Sequence, residues 1–259
     1  MLKKLRRVSQ MNKLRTITAA LALSALTSVN ANAGDWTANA GFSNNYIWRG
    51  LTQTENEPVI SGGIDYAHDS GFYIGTWVAN VEYAAMDAFS YEHDIYFGYG
   101  GEYNGVSYDF GYLYYNYDEQ ADFDFSELYG SLSYAGFTVG AFLLVHTEAD
   151  ENQGPANGIG RNYDSDFAST YYLYGDYARE IGNGVELGIH LGYHDGDFVD
   201  QFNFAGGVFD YMDYNVSIAK GGFSFMVSGT DLDDSEGGAI GLQNDSIKYV
   251  ISYSLDIDL

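Results

Sequence analysis

The chain has no cysteine, only two prolines, and just 11 lysines and arginines against 36 aspartates and glutamates. The first absence excludes disulfides, thiolate nucleophiles and cysteine-ligated metals. The shortage of positive charge, a formal net charge of −25, makes nucleic acid and anionic membrane surfaces poor partners. Beyond residue 33 there is no apolar run of about 18 residues, so no transmembrane helix is expected there. What is abundant is glycine and aromatics: 32 Gly, 25 Tyr and 16 Phe. That balance fits either a secreted acidic β-protein or an outer-membrane barrel, whose aromatic girdles and tight turns use these residues.

The first residues stand apart. Lys3, Lys4, Arg6, Arg7, Lys13 and Arg15 precede an apolar stretch from Ile17 to Val29, followed by Ala31-Asn32-Ala33. A basic start, a short apolar run and an A-x-A site make a secretory signal peptide, cleaved after Ala33. Met11 serves equally well as the start. The expected mature chain, 34–259, is a single domain. Removing six basic residues and no acidic one takes its formal charge from −25 to −31.

Alternation then recurs to the last residue. In Ile247, Tyr249, Ile251, Tyr253, Leu255, Ile257 and Leu259 every second side chain is apolar or aromatic. Lys248, Ser252, Ser254, Asp256 and Asp258 fall between them, with Val250 the one apolar exception. So long a two-faced strand at a terminus calls for a partner along its edge, and a closed barrel supplies one. Eleven further stretches repeat the pattern. The first runs from Trp36 and is expected to continue through Tyr46-Ile47-Trp48-Arg49. The third sets Tyr73, Gly75, Trp77, Ala79 and Val81 on one face, against Thr76, Asn80 and Glu82. The seventh sets Phe137, Val139, Ala141, Leu143 and Val145 against Thr138, Gly140 and His146. Asn104-Gly105 is a two-residue hairpin signal, and Ala135-Gly136 and Lys220-Gly221-Gly222 are further short turns. Short turns alternate with longer acidic loops, the rhythm of an all-β, antiparallel transmembrane barrel of about twelve strands.

The carboxylates test that assignment. About 20 fall in the six long loops. On the polar strand faces lie Asp65, Glu82, Glu92, Asp94, Asp109, Glu127, Asp176, Glu186, Asp213, Asp256 and Asp258. None sits mid-strand on an apolar face, where a charge costs up to a few kcal/mol at the bilayer midplane.

The segment Ala38-Asn39-Ala40-Gly41-Phe42-Ser43-Asn44-Asn45-Tyr46-Ile47-Trp48-Arg49-Gly50-Leu51-Thr52-Gln53-Thr54 resembles the opening of the TorF family of porins. Gly62-Gly63-Ile64-Asp65-Tyr66-Ala67-His68 and Ser70-Gly71-Phe72-Tyr73-Ile74-Gly75-Thr76-Trp77 extend the match; the rest follows in length and rhythm. The resemblance implies a Gram-negative outer-membrane β-barrel with a pore function, and brings no site residues with it. Such barrels usually end in Phe or Trp, where this chain has Leu259.

Catalytic and metal motifs are weak. His68-Asp69-Ser70-Gly71 looks superficially like a hydrolase motif but has the composition of a tight turn. His190 and His194 share a strand face about 13 Å apart, too far for one metal. Asp231-x-Asp233-x-Ser235-Glu236-Gly237 departs from a calcium loop in its glycine and lacks the closing glutamate. No cofactor is expected beyond loose Ca²⁺ or Mg²⁺ binding at the acidic outer loops, and no enzyme activity. The expected partners are outer-membrane lipid and lipopolysaccharide, the barrel assembly machinery, and small solutes or ions.

The expected pore lining is Arg49, Asp65, Glu82, Glu92, Asp94, Asp109, Glu127, Asp176, Glu186, Asp213 and Lys248. Arg49 and Lys248 either pair with neighbouring carboxylates or, for Arg49, mark a constriction. Tyr96, Tyr115, Tyr117, Tyr129, Tyr172, Tyr174 and Tyr211 also point inward. They are either wall residues hydrogen-bonded to the carboxylates or a stacking track for ring-bearing solutes. The function expected is a narrow, cation-preferring diffusion channel; the alternatives are a lipid-modifying enzyme and a closed structural or adhesion barrel.

Overall fold

A computed structural model describes residues 36–84, 86–148, 167–199, 210–233 and 242–259. The expected signal peptide and most of the acidic segment 231–237 lie outside them. The strands are β1 (Trp36–Ser43), β2 (Ile47–Trp48), β3 (Leu51–Thr52), β4 (Val59–Ala67), β5 (Phe72–Asn80), β6 (Tyr91–Tyr103) and β7 (Val106–Asn116). Then come β8 (Phe125–Tyr134), β9 (Phe137–Thr147), β10 (Thr170–Gly182), β11 (Val185–Gly196), β12 (Asp210–Lys220), β13 (Phe223–Thr230) and β14 (Lys248–Asp258). Twelve of these close an antiparallel barrel, and β2 with β3 forms a separate two-stranded sheet.

The seam is made by the last strand. Strand β14 pairs with β1 from Thr37↔Asp258 to Ser43↔Ser252, and with β13 on its other side. Closure leaves no unpaired edge, which lipid would otherwise penalise at every open N–H and C=O. On the outer face Ile60, Val139, Ile251 and Phe223 are each at least 60% exposed. An apolar surface of that kind around a closed barrel is stable only in a bilayer. The protein is therefore a transmembrane barrel of the outer-membrane type. Among the described residues no helix is long and apolar enough to cross a membrane.

Tight turns set the register at one end. Asn104 and Gly105 have φ of 53° and 81°, and Ala135 and Gly136 have 54° and 87°. Asn183-Gly184 and Gly221-Gly222 repeat the arrangement. Positive φ at both central residues is what a type I′ hairpin requires, and its twist matches that of the strands it joins. The termini share this turn end. Longer connections lie at the other, loop end.

Three expectations need correction. Strand β1 stops at Ser43, and residues 44–58 turn into the lumen instead of extending the wall. In β5 the faces are exchanged. Tyr73 reaches over Gly98 of the intervening β6 to Asp109 at 2.7 Å on the inner face, so Gly75, Trp77 and Ala79 face inward with it, while Phe72, Ile74 and Val78 are exposed on the outside. Glu82 consequently lies beyond the strand in an exposed loop and does not line the lumen. In β9 the register slips: Ser126 pairs with His146 but Glu127 pairs with Leu144. Phe142 and Leu144 face inward by plain alternation with Thr138 and Gly140, and the extra residue beyond them, Val145, is a bulge that leaves His146 exposed.

Candidate functional site: an inward hairpin latched to the barrel wall

The segment after β1 begins as a local problem of backbone polar groups. Once the chain leaves the wall, its amides need partners inside the lumen. Asn45, Thr52 and Thr54 supply them. The Thr52 hydroxyl donates to Asn45 Oδ1 at 2.6 Å, Tyr46 N donates to Thr54 Oγ1 at 3.2 Å, and Gln53 N donates to the Tyr46 carbonyl at 2.7 Å. The strands β2 and β3 then reverse at Arg49-Gly50, where φ is 47° and 81°. This is again the positive-φ pair of a two-residue hairpin, now with arginine in the place usually held by asparagine or aspartate. Gly50 is required: a Cβ there would lie 2.6 Å from Asp213 Cβ and 2.6 Å from Thr230 Cγ2. The described part of the segment from Asn45 to Thr54 is buried within the barrel.

Arg49 fixes the tip. Its guanidinium forks onto Glu127, Nη1 to Oε1 at 2.9 Å and Nη2 to Oε2 at 2.6 Å. Nη1 also lies 3.1 Å from His194 Nε2. The rings of Trp48, Tyr172 and Phe142 stand 4.3, 4.4 and 4.9 Å from its central carbon. A desolvated guanidinium is held best by a planar carboxylate fork and aromatic faces together. Trp48 packs edge-on to Tyr115, Phe125 and His194, so the hairpin is continuous with an aromatic core at the loop end.

Around this tip several tyrosines hold carboxylates. Tyr96 donates to Asp65, Tyr46 and Tyr117 to the two oxygens of Glu92 (2.6 and 2.7 Å), and Tyr115 to Glu127 at 3.0 Å. Tyr129 bonds the Tyr73 hydroxyl, which itself reaches Asp109. His190 bridges Asp176 (2.6 Å) and Asp213 (3.1 Å), with the Tyr172 hydroxyl 2.7 Å from its Nε2. Tyr96, Tyr115, Tyr117 and Tyr172 thus bond carboxylates directly and Tyr129 through Tyr73, whereas the Tyr211 hydroxyl lies 3.3 Å from His194 Nδ1 and the Tyr174 ring stacks on Tyr172.

Of the expected lining, Asp65, Glu92, Asp94, Asp109, Glu127, Asp176, Glu186 and Asp213 lie on inward faces. Arg49 is in the lumen too, although on the hairpin and not on a wall strand. Lys248 does not present a free charge to the lumen, since its ammonium donates to the carbonyls of Leu242 and Gln243, each at 2.6 Å. His68 bonds Ser70 within its turn, at 2.9 Å, with no further partner that would make a hydrolase site. Among the described residues no group of three or more His, Cys, Asp or Glu side chains is placed to hold a metal ion. Sequence reasoning missed Tyr46, Trp48 and His194 as parts of one site. The available signal was Arg49-Gly50 between the short pairs Ile47-Trp48 and Leu51-Thr52.

Residues 29–245 match the family described as "Bacterial protein of unknown function (Gcw_chp)". No curated protein matches the chain in sequence. Among solved structures, the barrel is similar to the KdgM porin, at 10% identity and a TM-score of 0.50, covering 84% of this chain and 97% of that one. It is similar also to a chain solved in work on the in-meso crystallization of membrane proteins, at 8% identity and a TM-score of 0.53, covering 87% and 84%. At such identities the likeness is one of fold.

Proposed function

We propose that this chain, which belongs to the Gcw_chp family of bacterial proteins, is an outer-membrane porin: a narrow, acidic channel for small solutes that prefers cations. The observation that carries the reading is the lumen itself. Inward faces of the closed barrel bear Asp65, Glu92, Asp94, Asp109, Glu127, Asp176, Glu186 and Asp213, while the two nearby cations are already committed, Arg49 to Glu127 and Lys248 to backbone carbonyls. Negative charge confined between low-dielectric walls raises the local concentration of cations and repels anions. The likeness of residues 38–54 to the TorF porins agrees with this, and those residues include the hairpin that narrows the lumen. The signal sequence at 1–33 suits export to the outer membrane. We read the protein as a channel, and not as a lipid-modifying enzyme, on the strength of that acidic lumen.

The buried hairpin supports a second reading, a barrel that stays shut and serves as a structural or adhesion element. One experiment separates the two. Purified protein in a planar bilayer under a KCl gradient should conduct with a reversal potential displaced toward the K⁺ equilibrium value. A reversal on the Cl⁻ side would overturn the selectivity, and a silent bilayer containing correctly folded barrel would favour the shut barrel.

A further inference from the structure

The buried carboxylates of the lumen are all matched by a donor or a cation, with one exception. Asp65 takes the Tyr96 hydroxyl and the Asn39 amide; Glu92 takes two tyrosine hydroxyls; Glu127 takes Arg49 and Tyr115; Asp213 takes His190 and Tyr172. Asp94 is 2% exposed, less than Asp65, and its Oδ1 has no hydrogen-bond partner. Its cross-strand neighbours on the same face are Trp77 of β5 and Tyr115 of β7, and two residues back along β6 stands Glu92. A carboxylate with one oxygen so buried lacks a donor to hold its charge there, and a second carboxylate nearby adds to the cost.

A cation would neutralise Asp94 and offset Glu92 through space. No group of three or more His, Cys, Asp or Glu side chains converges among the described residues, which argues against a divalent ion held by a full set of such ligands. A monovalent ion matches the charge of one unpartnered carboxylate. We propose that Asp94 holds a single alkali cation in the barrel wall beside the inward hairpin. The site goes beyond the channel reading, because it is an equilibrium binding site whether or not the barrel conducts.

The test uses the whole folded barrel in detergent at neutral pH, titrated with KCl while N-methylglucamine chloride keeps the ionic strength constant. The expected result is a saturable rise in unfolding midpoint with K⁺ for the native protein, and no such rise for Asp94→Asn. Asp109→Asn, which changes a carboxylate elsewhere in the lumen, should keep the rise. Equal K⁺ responses in native protein and Asp94→Asn would overturn the proposal. So would a response to Ca²⁺ or to an organic ammonium but not to K⁺, or one to pH alone, which would mean a bound proton. Sodium NMR on the native protein keeps the idea falsifiable if Asp94→Asn does not fold: Na⁺ line broadening that K⁺ competes away supports the site, and its absence removes it. A silent bilayer with intact K⁺ binding would count against the channel alone; conduction without K⁺ binding would count against Asp94 alone.

Discussion

Arg49 is held in a left-handed backbone conformation that few arginines adopt, and what holds it there is its side chain. Two charge-assisted bonds to Glu127 and three aromatic faces surround a guanidinium that is almost wholly buried. Removing one member of such a pair leaves the other charge stranded, at a cost of about 3–5 kcal/mol, whereas replacing both with apolar groups of similar size is often neutral. Glu127→Leu alone should therefore destabilise the barrel by roughly that amount. Adding Arg49→Met should recover most of the loss. Urea unfolding in lipid vesicles, run as a double-mutant cycle, measures both; simple additivity of the two losses would show that the pair is not coupled.

At the scale of elements, the strands that were legible in the sequence are those whose two faces differ chemically. In β14 and β11 most outward residues are apolar and the inward ones, Val250 apart, are Asp, Glu, Lys, Ser, His or Gly, so period-2 reading gives the right face. In β5 it fails, because the inward Tyr73, Trp77 and Ala79 are as apolar as the outward Phe72, Ile74 and Val78, and hydropathy cannot tell a lipid face from an aromatic-lined lumen. The bulge in β9 escaped for a related reason: a one-residue slip leaves Val145 and His146 in an unchanged sequence pattern and is fixed only by pairing with β8. The β2 half of the inward hairpin reads as a continuation of the wall because a two-residue strand is too short to show a period. Between elements, Asp118 ties the connection after β7 to the one before β6. It accepts from Ser90 N and Tyr91 N at 2.6 and 3.2 Å and from the Ser90 hydroxyl at 2.8 Å. Burial works to raise its pKa, but these bonds from Ser90 and Tyr91 outweigh it and hold the carboxyl below its ordinary value. A depressed folded-state pKa means the bond is at full strength above the ordinary carboxylate value of about 3.9 and fades only as pH falls through the lowered one. Amide exchange at Ser90 and Tyr91, corrected for its intrinsic pH dependence, should stay protected down to about pH 4 and be lost below it. Loss of protection already near neutral pH would assign the protection to something other than Asp118.

For the whole molecule, the register around β1 bears directly on what the hairpin does. Ser43 and Val59 are cross-strand partners, so β1 and β4 meet at the point where residues 44 and 58 begin and end the inward excursion. Neighbouring strands lie about 4.8 Å apart, a gap that two residues can close. The barrel wall therefore does not need residues 44–58; they are an insertion into what would otherwise be a tight hairpin. Their removal would also release Glu127 from Arg49 and Glu92 from Tyr46, leaving each carboxylate a single tyrosine donor and taking one positive charge out of the lumen. Replacing residues 44–58 with Asn-Gly should leave a barrel that still shows β-sheet circular dichroism and heat-modifiable migration in gels. In planar bilayers it should conduct several times more per channel than the native protein, with a stronger cation preference. An unchanged conductance in a folded barrel would mean that the hairpin does not set the width of the path, and that the narrowest point lies in the wall.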